Sequence, residues 1–239
     1  MNSTPTSTST PTLTSIPPRA HLRRRTVLLA ILAAVGPLIF LIAEAVSAIA
    51  WTAGTYNYGH NFISDLGTTV CGSTFGGREM CSPLHAVMNV GFVAMGFAIA
   101  ATVALLATRL RGVRRGVITA LGCVVPVGML LVAIFHGGVE SVDNGTIALH
   151  VLGAFLAIAA GNTLAITMGA HSDRLGLPRW YRVATITLGV VGLVALVCIA
   201  VEPPPLDPAI YERISVYSIF SWLFLTTAAL LTTPRRSIR

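Results

Sequence analysis

The stretch RRRTVLLAILAAVGPLIFLIAEAVSAIAW, Arg23–Trp51, decides what kind of fold this chain adopts. Three arginines precede the 26 residues from Thr26 to Trp51, whose single charge is Glu44. A secretory signal has an apolar region of roughly 7–15 residues, so this run is too long for one. It reads as an uncleaved transmembrane helix, despite the weak cleavage-like Ser47-Ala48-Ile49-Ala50. Five more apolar runs follow, at about 83–107, 113–135, 145–170, 181–201 and 211–232. Each is near the ~20 residues that an apolar span needs.

Composition agrees. The chain is 54% hydrophobic and 10% charged, with a mean hydropathy of +0.77. Soluble domains carry about 25% charged residues. With so few charges the bilayer is the solvent and the partner, and each spanning backbone must satisfy its own polar groups as helix. The expected fold is all-α: an integral membrane bundle of six transmembrane helices, the first at 26–51, within a domain at 23–233. A Ser/Thr/Pro-rich tail, 1–22, reads as disordered, and 234–239 as a basic tail.

All sixteen basic residues are arginine, which we take as the codon bias of a GC-rich bacterial genome and give no functional weight. Fourteen of them precede span one, lie between spans two and three or four and five, or end the chain. Arg78 and Arg213 fall on the other side. By the positive-inside rule both termini are expected to be cytoplasmic, and the membrane is read as the bacterial plasma membrane. The net charge of +7 is therefore a topology signal, and no nucleic-acid partner is expected.

The 52–82 loop then lies outside the cytoplasm. Within it Cys71 and Cys81 are expected to pair as a disulfide, because that compartment is oxidising. Cys123 and Cys198 fall inside spans and read as packed thiols.

Polar residues inside spans are costly and usually face the bundle or a wet cavity. Here they form stripes: Glu44 and Ser47 on span one; Ser82, His85 and Asn89 on span two; Glu212, Ser215 and Ser218 on span six. With His136 and His150 they all fall toward the outer end. The expectation is an outward-facing polar pocket lined by Glu44, Asp65, Ser82, His85, Asn89, His136, His150 and Glu212, roofed by the loop.

Glu44 lies seven residues below the end of its span, about 10 Å at helical rise. It reads either as a carboxylate paired with Arg213 or Arg78, or as a proton relay sharing a proton with His85 or His150. Catalytic candidates are Glu44, Asp65 and His85. His85, His136 and His150 are metal candidates, and His85 with His150 is the one pair suited to haem. No HExxH, GxSxG, phosphate loop or dinucleotide fingerprint is present, so no particular cofactor follows from the sequence. Ser64-Asp65 reads as the cap of a short interfacial helix, or the start of a turn.

Ile63-Ser64-Asp65-Leu66-Gly67 after a first span, then Pro83 heading span two with Asn89, Gly91 and Gly96 behind it, resembles the bacterial multi-pass membrane family catalogued as domain of unknown function 998. The likeness covers about 30–232. It implies a six-helix membrane protein and carries no catalytic residues across. Three functions stay open: binding of a lipid, quinone or small ligand in the outward pocket; a membrane-embedded hydrolase or transferase, with or without a metal, acting on an outer-leaflet lipid; and a structural scaffold.

The arginine asymmetry generates a direct test. In intact cells, a cysteine introduced as Ser237→Cys should be protected from a membrane-impermeant thiol reagent. Labelling there contradicts the orientation.

Overall fold

A computed structural model of the chain describes residues 18–232, with side chains from Arg24 onward. The expected tail at 234–239 and most of that at 1–22 lie outside the described residues. Residues 18–22 continue the first helix.

Eight helices are described: α1 (Pro18–Ile49), α2 (His85–Ala107), α3 (Val113–Ile134), α4 (Val139–Asp143), α5 (Ile147–Ala170), α6 (Ser172–Leu175), α7 (Arg179–Val201) and α8 (Pro208–Thr232). Six of them, α1, α2, α3, α5, α7 and α8, are long and apolar enough to cross a membrane. Each packs on the next in chain order, and α8 returns to α1, so the six close into a ring. A contact between α5 and α8 crosses the ring.

The residues explain the packing. Between helices in lipid there is no water to expel, so close approach of small residues takes over. A Cβ added at Gly128 would come within 2.6 Å of backbone atoms at Gly153 and Ala157, so α3 and α5 touch backbone to backbone. A Cβ on Gly192 of α7 would meet Asn162 Oδ1 at 1.9 Å. That glycine makes room for the one amide buried at mid-bundle, whose Nδ2 donates to the Ile158 and Ser215 carbonyls. The outward faces carry the large apolar side chains instead: Ile42 is 62% exposed, Ile49 86% and Val90 65%. On a water-soluble protein such apolar surface marks an interaction site, and here the partner it fits is lipid.

Helix ends follow their local chemistry. Pro208 opens α8, where its missing N–H costs nothing, and Asp207 Oδ1 accepts the Ala209 amide in the first turn. Glu202 closes α7 with φ 50°. Pro37 and Pro126 lie within α1 and α3, which continue through them.

The 52–82 loop is more ordered than its length suggests. It holds a 3₁₀ turn (Ser64–Gly67) and a hairpin of β1 (Ser73–Phe75) and β2 (Arg78–Met80), paired Ser73 to Met80. Gly76 and Gly77 turn the hairpin with φ 55° and 76°. Positive φ at both central residues is what a two-residue hairpin turn with matching twist requires. The Cys71–Cys81 disulfide closes the open end of the ribbon.

Candidate functional site

The hairpin, the 3₁₀ turn, the α3–α5 connection and the α7–α8 connection share one end of the bundle, called here the loop end. The opposite end carries the arginine-rich connections. Most polar residues anticipated from the sequence are at the loop end, in two groups.

The first group is an anchor. Glu212 and Arg213 are consecutive on α8, and both reach into the loop. The Ile63 amide donates to Glu212 Oε2. Arg213 Nη1 donates to the Asn61 carbonyl at 2.6 Å, and its Nη2 to the Tyr56 hydroxyl. Tyr56 passes the contact on, its hydroxyl donating to the Phe62 carbonyl at 2.8 Å. Burial pushes the Tyr56 phenol above its ordinary pKa against the opposing pull of Arg213, which keeps the proton this donation needs. The guanidinium also lies 5.6 Å from the Tyr56 ring centre and 5.1 Å from that of Tyr58, within cation–π range.

Glu44 joins from α1. Its Oε1 is 3.7 Å from Arg213 Nη2, and Tyr217 donates to both carboxylate oxygens at 2.9 Å. Tyr217 follows Arg213 by four residues, so the two share one face of α8. Glu44 is 2% exposed and Arg213 7%. Unpaired charges at such depth are very costly, and paired ones are retained where hydrogen bonds complete the site.

The anchor holds the ISDLG turn inside the mouth of the bundle, where Ile63 and Leu66 are 1% and 0% exposed. A buried turn must satisfy its backbone, and the side chains of Glu212, Ser82 and Asn89 do so. Ser82 Oγ donates to the Leu66 carbonyl at 2.6 Å and Asn89 Nδ2 to that of Gly67 at 3.0 Å. Thr68 Oγ1 donates to Gly137 O at 2.8 Å. Asp65 Oδ2 accepts the Phe62 amide at 2.9 Å and Arg78 Nε at 2.8 Å, while Arg78 Nη2 reaches Oδ1 at 3.3 Å. Arg78 lies 4.6 Å above the Phe62 ring. At the rim, His60 Nδ1 meets Asp207 Oδ2 at 2.8 Å. Slight burial works to raise the Asp207 pKa, but the Ala209 amide and the His60 ring outweigh it and hold the carboxyl below its usual value.

The second group lines a cleft of about 240 Å³ between Thr68–Val70 and the α3–α5 connection, with His136, Glu140, Ser141, Asn144 and Thr146 on its wall. His150 stands behind it, with Nε2 3.5 Å from where a Gly137 Cβ would sit. His150 Nδ1 bonds to Phe135 O at 2.7 Å, and His85 Nδ1 to Ser82 O at 3.0 Å. Burial, with His85 nearby, holds the His136 imidazole below its ordinary pKa against the pull of the Ala133 carbonyl and Glu140. A neutral His136 offers one donor and one acceptor.

The residues expected to share one pocket are thus distributed. Glu44 and Glu212 belong to the anchor; Asp65, Ser82 and Asn89 secure the turn; His136 faces the cleft. Of the two partners weighed for Glu44, Arg213 is the one beside it, and Arg78 goes to Asp65. No hydrogen bond or ion pair joins Glu44 to His85 or His150. Among the described residues no three His, Cys, Asp or Glu side chains group closely enough to hold a metal ion. Tyr56, Tyr217 and Thr68 were not singled out from sequence; the i, i+4 pair Arg213–Tyr217 was the available signal for one of them.

A closed ring of six apolar helices with a loop anchored by buried charge defines an integral, multi-pass membrane protein. Residues 20–229 match the family described as Protein of unknown function (DUF998), and the chain belongs to that family. No curated protein and no solved structure matched the chain.

The anchor predicts a graded loss of stability. Arg213→Gln leaves the buried Glu44 without its charge partner and should cost about 3–5 kcal/mol. Tyr217→Phe removes only hydrogen bonds to a charged group and should cost about 1.5–3 kcal/mol. Glu44→Gln and His85→Ala should add within about 0.5 kcal/mol, because the two residues share no hydrogen-bond or ion-pair partner. Unfolding in mild detergent measures all three, and a large coupling between Glu44 and His85 contradicts the geometry.

Proposed function

We propose that the protein binds an amphipathic ligand, the polar head of a lipid or quinone, in the cleft beside the anchored turn. The carrying observation is the chemistry of that cleft. A neutral imidazole, a carboxylate, hydroxyls and an amide line about 240 Å³. Exposed apolar side chains lie on the same segments: Ile134 is 60% exposed, Val142 50% and Leu149 37%. Ligand pockets usually measure about 300–1,000 Å³, so this space suits a headgroup, with the tail left along the helix ends in lipid. His136 and the hydroxyls supply donors to a carbonyl or phosphate oxygen, and Glu140 accepts from a hydroxyl or ammonium. In this reading the cleft opens to the outer face of the plasma membrane and both termini are cytoplasmic, as the arginine distribution supports.

The test is extraction and mass spectrometry of molecules that copurify with the full chain in mild detergent, for wild type and His136→Ala. The expected result is one amphipathic species in stoichiometric amount, reduced at least tenfold in the variant (about 1.4 kcal/mol of binding). The ligand-free melting point should be unchanged, because the His136 side chain is not part of the anchor. Equal retention by both proteins overturns the proposal. Absence of any bound species favours the scaffold reading, which the hydrogen bonds and ion pair within the anchor support.

A further inference from the structure

The arginine end of the bundle carries a second, independent surface. The α2–α3 connection and the first turn of α3 supply Arg109, Arg111, Arg114 and Arg115, and α6 and the start of α7 supply Arg174 and Arg179. Arg109 Nη1 donates to the Leu175 carbonyl at 2.9 Å, which stitches the two connections together. The arginines therefore form one patch. Arg111, Arg114 and Arg115 are exposed, with no carboxylate partner among the described residues. Asp173 is the one carboxylate described at this end, and it stands 3.5 Å from Arg182. Trp180 is 44% exposed and Val113 83%. Large apolar side chains and guanidinium groups thus sit at the same level, at the ends of spanning helices.

We propose that this patch binds the phosphate headgroups of anionic phospholipids. Guanidinium groups meet phosphate oxygens bidentately, at shorter and stronger bonds than neutral donors make. Arg111, Arg114 and Arg115 carry positive charge that no carboxylate among the described residues pairs, and it stands where headgroups stand rather than in free solvent. Clusters of basic residues immediately beside a span attract anionic lipid in this way. The proposal is independent of the cleft at the loop end.

Full-length protein is purified in mixed micelles carrying phosphatidylglycerol or phosphatidylcholine with the same acyl chains, and the lipid retained is counted by native mass spectrometry. Phosphatidylglycerol should be retained preferentially, and the preference should shrink as salt is added. The combined variant Arg111→Gln, Arg114→Gln, Arg115→Gln should lose preference by about fivefold per arginine removed. Arg174→Gln with Arg179→Gln should show the same trend from the neighbouring connection, so the test survives failure of either variant to fold. Equal retention of the two lipids, or wild-type preference in both variants, overturns the proposal. Inorganic phosphate displacing phosphatidylglycerol at equal concentration also overturns it, by showing a site for a free anion.

Discussion

A guanidinium taken out of water must find partners, and Arg213 finds them on segments far apart in the chain. Glu44 comes from α1, Tyr56 and the Asn61 carbonyl from the loop, and Ala209 O from its own helix. The contact between α1 and α8 closes the ring, and the same charge cluster fastens the loop across that closure. The rest of the loop end depends on it. With Asn61–Ile63 fixed, the ISDLG turn drops into the mouth, Ser82 and Asn89 meet its carbonyls, and Thr68 ties the following residue to the Gly137 carbonyl. The cleft against His136 is the space left beside this turn.

The cluster also separates two roles that polar residues play within a membrane. Residues that bond to one another or to backbone, as Glu44, Tyr217 and Asn162 do, hold helices at fixed rotation. Residues left facing open space, as His136 and Glu140 are, have unused hydrogen-bonding capacity. Depth in the membrane does not distinguish the two roles; the partner of each side chain does.

Much of the architecture was legible because hydropathy and length act locally. The spans expected at 83–107, 113–135 and 211–232 became Ala107-, Ile134- and Thr232-ended helices with starts at His85, Val113 and Pro208. The first span stops at Ile49 rather than Trp51, whose indole turns to donate to the Ala53 carbonyl. The disulfide was legible from compartment and position. The partners of Glu44, His85 and His150 were not. A stripe fixes which residues share a helix face, but not how the helix is rotated against its neighbours or where a thirty-residue loop runs. Both histidines satisfy carbonyls one turn or one connection away, a local solution that a depth argument cannot see. The hairpin had a readable signal in Gly76-Gly77, while α4 is a single short helix with no apolar period to reveal it.

The central claim is that helix side chains, rather than the disulfide, hold the turn in the bundle. Backbone hydrogen exchange over residues 61–68, measured in mild detergent before and after reduction of Cys71–Cys81, tests it most directly. The account predicts that this segment exchanges as slowly as the first turns of α8 and stays slow after reduction, while the hairpin at 73–80 becomes fast. Exchange of 61–68 at the rate of an open chain in the native protein would contradict it.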